Sequence, residues 1–255
     1  MTLTVDLNSD MGEGFGPWKM GDDAAMLDIV TSANIACGMH AGDPEVMAKT
    51  FGEAKTKGVA VGAHPGYPDL FGFGRRNMPF TMGETERLIA YQIGAAEAMA
   101  AYAGHKLTYV KLHGALGNLS QQNRDVALAA LRAIRAVNPK LICLTIALGE
   151  MDKLAGEMGL EKKSEIFADR AYTDEGFLVD RKLPGAVLHD PDEVARRILA
   201  MLEQGGVITA SGKLLKTPVE SICVHSDTPD AVEIARKLRT SLEASGVTVK
   251  SFAGA

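Results

Sequence analysis

Along the chain, short apolar runs alternate with longer amphipathic stretches, the order expected of βα units wrapped around a parallel sheet. Runs at 2–7, 32–36, 59–62, 107–112, 141–145, 164–168 and 221–224 predict strands, and shorter runs near 186–188 and 207–209 read as hairpin pieces. The helix starts are legible. Asp43-Pro44-Glu45, Asp190-Pro191-Asp192-Glu193 and Thr228-Pro229-Asp230 each offer a capping side chain, a proline at the first helical position and an acid in the first turn. Thr81 and Glu84 have the spacing of a capping box. Gly58, Gly104, Gly205 and Gly246 mark the helix ends, where glycine tolerates a left-handed residue. Val194, Ile198, Met201 and Leu202 fall on one helical face, a stripe suited to a barrel wall. Seven or eight such units predict an α/β fold of the (β/α) barrel type as one domain over 1–255, with an open doubly wound sheet as the alternative.

In such barrels the C-terminal strand ends and the loops after them form the active-site face, and the polar residues concentrate there. Alternation along the first strand turns Asp6, Asn8 and Asp10 to one side, the inside of a barrel. Burying that trio is costly unless it serves a ligand, a metal or a hydrogen-bond network. An EF-hand is excluded, since the sixth and twelfth loop positions are Met11 and Pro17. The second strand leads to Asn34 and His40, a donor and an acid/base or metal ligand; Asp43 reads as a helix cap and Cys37 as packing. The third runs into a long loop, 62–76, with His64 at its start and Arg75-Arg76 near its end, a pair suited to a carboxylate or phosphate. Lys111 and His113 share a side of the fourth strand end, placed to neutralise an oxyanion and to move a proton. Asp169 and Arg170 read as an ion pair on the rim, and His225 completes the pocket.

Charge and composition narrow the partners. A net charge of −5 without basic runs argues against nucleic acid and anionic membrane. The first residues enter a strand pattern directly, without a secretory signal, and no apolar run approaches the length of a membrane span. Cys37, Cys143 and Cys223 form no pairable framework, so reduced thiols in a cytosol are expected. Walker, G-x-S-x-G, H-E-x-x-H and paired C-x-x-C patterns are all missing.

Six blocks, VDLNSDMGEGFG at 5–16, NIACGMHAGDP at 34–44, GAHPGYPDLFGFGRR at 62–76, KLHGALGN at 111–118, EIFADRAYTDEG at 165–176 and ICVHSDTPDAV at 222–232, resemble the LamB/YcsF family in order and spacing. These are the A subunits of prokaryotic 5-oxoprolinase. The resemblance implies a seven-stranded barrel of the glycoside hydrolase/deacetylase type. It also implies ATP-dependent opening of 5-oxo-L-proline to L-glutamate with partner subunits B and C. ATP, accompanied by Mg²⁺, is the expected cofactor, with none tightly bound. Two departures stand out: the family usually reads K-P-H-G-A-L-Y-N where this chain has Leu112 and Gly117, and H-G-D where it has Ser226.

On that basis Asp10, His40, His64, Lys111 and His113 form the expected catalytic set. Asp6, Asn8, Asn34, Arg75, Arg76, Asn118 and His225 form the expected substrate-binding set. Two other readings stay open: a metal-dependent deacetylase acting alone, with Asp10, His40 and His64 converging, and a non-catalytic subunit that delivers substrate to its partners.

Overall fold

The computed structural model describes residues 3–227 and 230–253. In chain order the strands are β1 (Thr4–Met11), β2 (Ser32–Ala36), β3 (Ala60–His64), β4 (Leu107–Val110), β5 (Ile142–Ile146) and β6 (Lys162–Phe167). They continue with β7 (Gly206–Ile208), β8 (Leu214–Lys216), β9 (Ser221–Cys223) and β10 (Thr248–Val249). The helices are α1 (Asp23–Met26), α2 (Pro44–Lys57), α3 (Met82–Tyr102), α4 (Gly114–Gln122), α5 (Arg124–Val137), α6 (Glu150–Glu157), α7 (Pro191–Gln204) and α8 (Ala231–Ala244).

Strands β1 to β6 and β9 pair in parallel in the order β1-β2-β3-β4-β5-β6-β9, and β9 pairs back onto β1. The barrel is therefore closed with seven strands, and the open-sheet alternative falls. β7 and β8 form an antiparallel hairpin outside it, as expected for the run near 207–209, and β10 adds in parallel to the start of β1. β1 runs four residues beyond the predicted end at Leu7, and β4 stops two short of Leu112. Polar residues inside the barrel hid the first extension from an apolar-run reading.

Local chemistry sets the helix starts. Asp43 accepts from the backbone of Glu45 and Val46, Asp190 does the same for Asp192 and Glu193, and Thr81 with Glu84 closes a capping box. Asp43 also accepts from Gly16 N at 2.7 Å, so one cap fastens two loops. The predicted cap at Thr228-Pro229 lies outside the described residues. Val194, Ile198, Met201 and Leu202 are all buried, as the stripe requires.

Alternation then divides the barrel wall. Val5, Leu7 and Met11 of β1, Ile35 of β2 and Val61 of β3 join the apolar core beneath the helices. Asp6, Asn8 and Asp10 are equally buried, but among polar neighbours. Tyr109, Ile142 and Leu144 form a separate apolar cluster with Phe252 and Ala253, so the C-terminal segment packs against the N-terminal end of the barrel as a floor. Gly62 makes this possible: a Cβ there would lie 2.3 Å from the Tyr109 ring.

Candidate active site

The parallel register stacks inward side chains in layers. In the lowest, Asp6 Oδ1 accepts from Thr31 and Ser32 hydroxyls at 2.7 and 2.6 Å, and Oδ2 accepts from Ser221. Above it, Asn34 Nδ2 donates to Asn8 Oδ1 at 2.7 Å and Asp10 Oδ1 at 2.8 Å, while the Tyr109 hydroxyl donates to Asn34 Oδ1 at 2.7 Å. Asn8 Nδ2 donates to Ser221 and to Glu165. Asp6, Asn8 and Asn34 thus lie below the cavity as its foundation and do not line it.

Lys111 extends into this interior, with Nζ 2.9 Å from Asp10 Oδ1, 3.2 Å from Glu165 Oε2 and 3.3 Å from Asn8 Oδ1. Burial disfavours its ammonium, but Asp10, Cys223 and Glu165 more than offset that and hold its pKa well above the usual lysine value. Burial likewise opposes ionisation of Asp10, yet His64 and Lys111 pull its pKa well below the carboxylate range. Asp6 and Glu165 go the other way, pushed up by burial despite their hydrogen bonds. One cation and one firmly ionised carboxylate therefore neutralise each other on the barrel axis.

At the C-terminal mouth Glu13, His40, His64 and His113 crowd together beside Asp10. His64 Nε2 is 3.0 Å from His113 Nδ1 and 3.4 Å from Asp10 Oδ1, and Glu13 Oε1 is 3.3 Å from both His113 Nδ1 and His40 Nε2. The outer nitrogens fix the tautomers. His64 Nδ1 lies 2.8 Å from Lys111 O and His113 Nε2 lies 2.8 Å from Phe73 O. A carbonyl only accepts, so each of those nitrogens carries a proton. With both rings neutral, the facing nitrogens His64 Nε2 and His113 Nδ1 would present two lone pairs to each other at 3.0 Å. A shared proton or a bound cation relieves that opposition.

Burial drives the pKa of His40 down to about 3 and lowers that of His64. Burial also opposes ionisation of Glu13, but its bonds with His113 and His40 outweigh it and hold the carboxyl below its usual range. The long loop after β3 presses onto these rings. Phe73 and Gly74 both have positive φ, 53° and 62°, which turns the Phe73 carbonyl onto His113. A side chain at Gly74 would collide with His113 and His40 at 2.8 Å. Phe73 holds its conformation at a cost of about 1–3 kcal/mol.

Asp10, His64, Lys111 and His113 line a cavity of about 270 Å³, together with Arg75, Asn118, Phe167, Arg170, Arg181, Lys182 and His225. Arg75 reaches it while paired to Asp227 at 2.6 Å. Arg76 does not line it: the guanidinium is bound by Asp69 within the loop, with Nε at 2.9 Å. His40 stands behind the cavity wall, against Glu13. Cys37 is fully buried, its thiol donating to Ile35 O and its pKa pushed to about 12, which suits packing.

The expected Asp169–Arg170 pair does not form. Both Asp169 oxygens lie 2.9 Å from His225 Nδ1, and Arg170 donates to the carbonyls of Val179 and Ala186. A histidine with its own carboxylate therefore faces the cavity, and Arg170 fastens the loop that carries Arg181 and Lys182. Sequence reasoning passed over Glu13, Glu165, Arg181 and Lys182. Only Glu165, on a strand and two residues from Phe167, carried a period-2 signal that could have found it.

The LamB/YcsF family pattern matches residues 5–255. The chain is 58% identical over 250 residues to a protein of Azorhizobium caulinodans named as the A subunit of 5-oxoprolinase, covering 98% of this chain and 99% of that one. It superposes with a TM-score of 0.92 and 40% identity on the lactam utilization protein from Thermus thermophilus, over 98% of this chain and 100% of the other. A T48 deacetylase superposes with a TM-score of 0.50 and 15% identity, over 97% and 87%, a likeness of fold alone.

Proposed function

Because the chain belongs to the LamB/YcsF family, we propose that it opens 5-oxo-L-proline to L-glutamate as the A subunit of an ATP-dependent 5-oxoprolinase, working with subunits B and C in the cytoplasm. One observation carries the reading: a relative 58% identical end to end bears that subunit's name. The cavity agrees with it. It is small, its floor holds Asp10 and Lys111, and Arg75, Arg170, Arg181 and Lys182 surround it, a field suited to a small anionic substrate. Among the described residues no helix is long and apolar enough to cross a membrane.

A five-membered lactam resists hydrolysis because its amide is resonance-stabilised and the freed amine recloses readily. Transfer of a phosphoryl group from ATP to the amide oxygen, with Mg²⁺ accompanying the nucleotide, makes the ring carbon a better electrophile. Water then adds to that carbon and the ring C–N bond breaks as the nitrogen takes a proton, leaving a γ-acyl phosphate that a second water hydrolyses to the γ-carboxylate and phosphate. Over the cycle one ATP and two waters are consumed, giving glutamate, ADP and phosphate. His64 and His113 activate the water, with the carbonyls of Lys111 and Phe73 orienting their rings. His225, held by Asp169, supplies the proton to the departing nitrogen. Acid–base catalysis of this kind contributes roughly 10²–10⁴-fold. The rim arginines and Lys182 balance the phosphoryl charge. Lys111 is already engaged by Asp10 and Glu165 and sets the charge of the floor.

A cluster of exposed apolar side chains at the mouth supports docking of a partner there. Trp18, Leu70 and Phe71 are 72%, 47% and 101% exposed and border one hollow with Phe15, Met20 and Phe73, next to His40. The test is glutamate release from 5-oxoproline, with and without ATP, using this chain alone and reconstituted with its two partners. Release is expected only with ATP and all three subunits. No release in any combination, with association confirmed, overturns the reading.

A further inference from the structure

The facing nitrogens of His64 and His113 can share a proton or hold a metal ion, and the surroundings favour the ion. We propose that Glu13, His64 and His113 bind a divalent transition-metal ion of the zinc class, with a fourth coordination position open to the cavity.

Three observations carry this. The first is spacing. His64 Nε2 and His113 Nδ1 are 3.0 Å apart, and His113 Nδ1 and Glu13 Oε1 are 3.3 Å apart. Four donor atoms, one each from Glu13, His40, His64 and His113, lie within 4.8 Å of one another. Tetrahedral bonds of about 2.0–2.1 Å separate neighbouring ligand atoms by about 3.3 Å. The second is outer support. The remaining nitrogens of His64 and His113 each donate to a backbone carbonyl at 2.8 Å, which fixes ring orientation and tautomer as metal-bound histidines require. The third is exposure of the open side, since both histidines line the cavity.

His40 has a different part. Its ring stacks on His113 with centroids 3.6 Å apart and planes 4° apart, so the two in-plane lone pairs cannot point at one ion. His40 instead lies 3.3 Å from Glu13 Oε1 through Nε2 and steadies that carboxylate from outside the coordination sphere. Two neutral imidazoles and one carboxylate suit zinc better than magnesium, which prefers oxygen ligands. With the ion bound, His64 and His113 would act on the water through it, by lowering its pKa to about 7, and not as free bases.

This inference stands apart from the lactam reading, because the ion is measured directly on the isolated chain. The full-length protein is stripped with a chelator, then titrated with Zn²⁺ by calorimetry and with Co²⁺ by visible absorption. One ion per chain is expected, with the intense visible bands of tetrahedral Co²⁺. Glu13→Gln and His113→Gln should each weaken Zn²⁺ at least 100-fold, and His40→Ala 10–100-fold as an outer support does. His105→Ala, far from the cluster, should change nothing. Circular dichroism confirms that each variant is folded, and the unsubstituted protein decides the matter if one is not. Failure of that protein to take up stoichiometric Zn²⁺ or Co²⁺ overturns the proposal and leaves a proton shared between His64 and His113. Undiminished binding in folded Glu13→Gln and His113→Gln overturns it as well.

Discussion

Replacing Lys111 by methionine keeps most of the volume of the side chain and removes the cation that sits among the barrel's inner carboxylates. The side chain is 3% exposed, with Asp10 Oδ1 and Glu165 Oε2 at 2.9 and 3.2 Å. Breaking a buried ion pair by deleting one partner costs about 3–5 kcal/mol, because the other charge stays buried and uncompensated. For a chain of this size that lowers the melting temperature by on the order of 10 °C. Asp10 is the residue left behind, since its ionised form depends on His64 and Lys111. Lys111→Met combined with Asp10→Asn should therefore be more stable than Lys111→Met alone by at least about 1.5 kcal/mol, a hydrogen bond to Asn34 surviving. Urea unfolding at pH 7 followed by far-ultraviolet circular dichroism measures the parent, both single variants and the double variant. If the single replacement loses less than about 1 kcal/mol, or if the two losses simply add, the charge pair is not what holds the barrel axis.

Other consequences can be checked in the same way. Gly117→Ala should destabilise by about 1–3 kcal/mol despite alanine's better helix propensity, because a Cβ there meets Leu112 O at 2.7 Å; a higher urea midpoint would contradict the clash. Burial pushes the Asp23 carboxyl from 3.8 to about 6, with Glu13 and Glu53 adding to the rise. Its folded form holds the proton more tightly, so this contribution is fully present below about pH 4 and is lost as pH rises through about 6. Asp23→Asn should therefore gain stability relative to the parent by at most about 3 kcal/mol between pH 4 and 7, and a constant difference across that range would rule the effect out. Trp18→Ser with Phe71→Ser should leave the melting temperature within about 2 °C, since exposed sites contribute little, yet reduce co-purification with the partner subunits at least tenfold. Unchanged co-purification would move the contact elsewhere.

Much of this molecule could be read from the chain because its signals are local. Asp43, Thr81 and Asp190 cap the helices they precede, and period-2 alternation alone turned Asp6, Asn8 and Asp10 inward. His64, Lys111, His113 and His225 were found because strand ends converge in a barrel, whatever the details of packing. Apart from Glu165, which a period-2 reading of β6 would have found, the misses share one cause: they depend on contacts between distant segments. The His225–Asp169 pair spans 56 residues, and no spacing rule announces it over the neighbouring arginine. Glu13 sits in irregular chain after β1, where no period applies, and meets His113 only because the loop after β3 folds over both. Arg181 and Lys182 belong to the long connection between β6 and α7, whose path Arg170 sets through backbone carbonyls.

The closure of β1 against β9 also bears on how the protein is made. Ser221 donates to Asp6 across 215 positions, and β10 and Phe252, which complete the wall and floor, come later still. At about 5–20 residues per second, β1 leaves the ribosome roughly ten to fifty seconds before its last partners are synthesised. During that interval its edge toward β9 and β10 waits unpaired and its inner face uncovered. A strand offering leucines there would invite other nascent chains to pair with it. Asp6, Asn8 and Asp10 keep that face hydrated until its own partners arrive, so the residues that found the active site also protect the newborn chain from its neighbours.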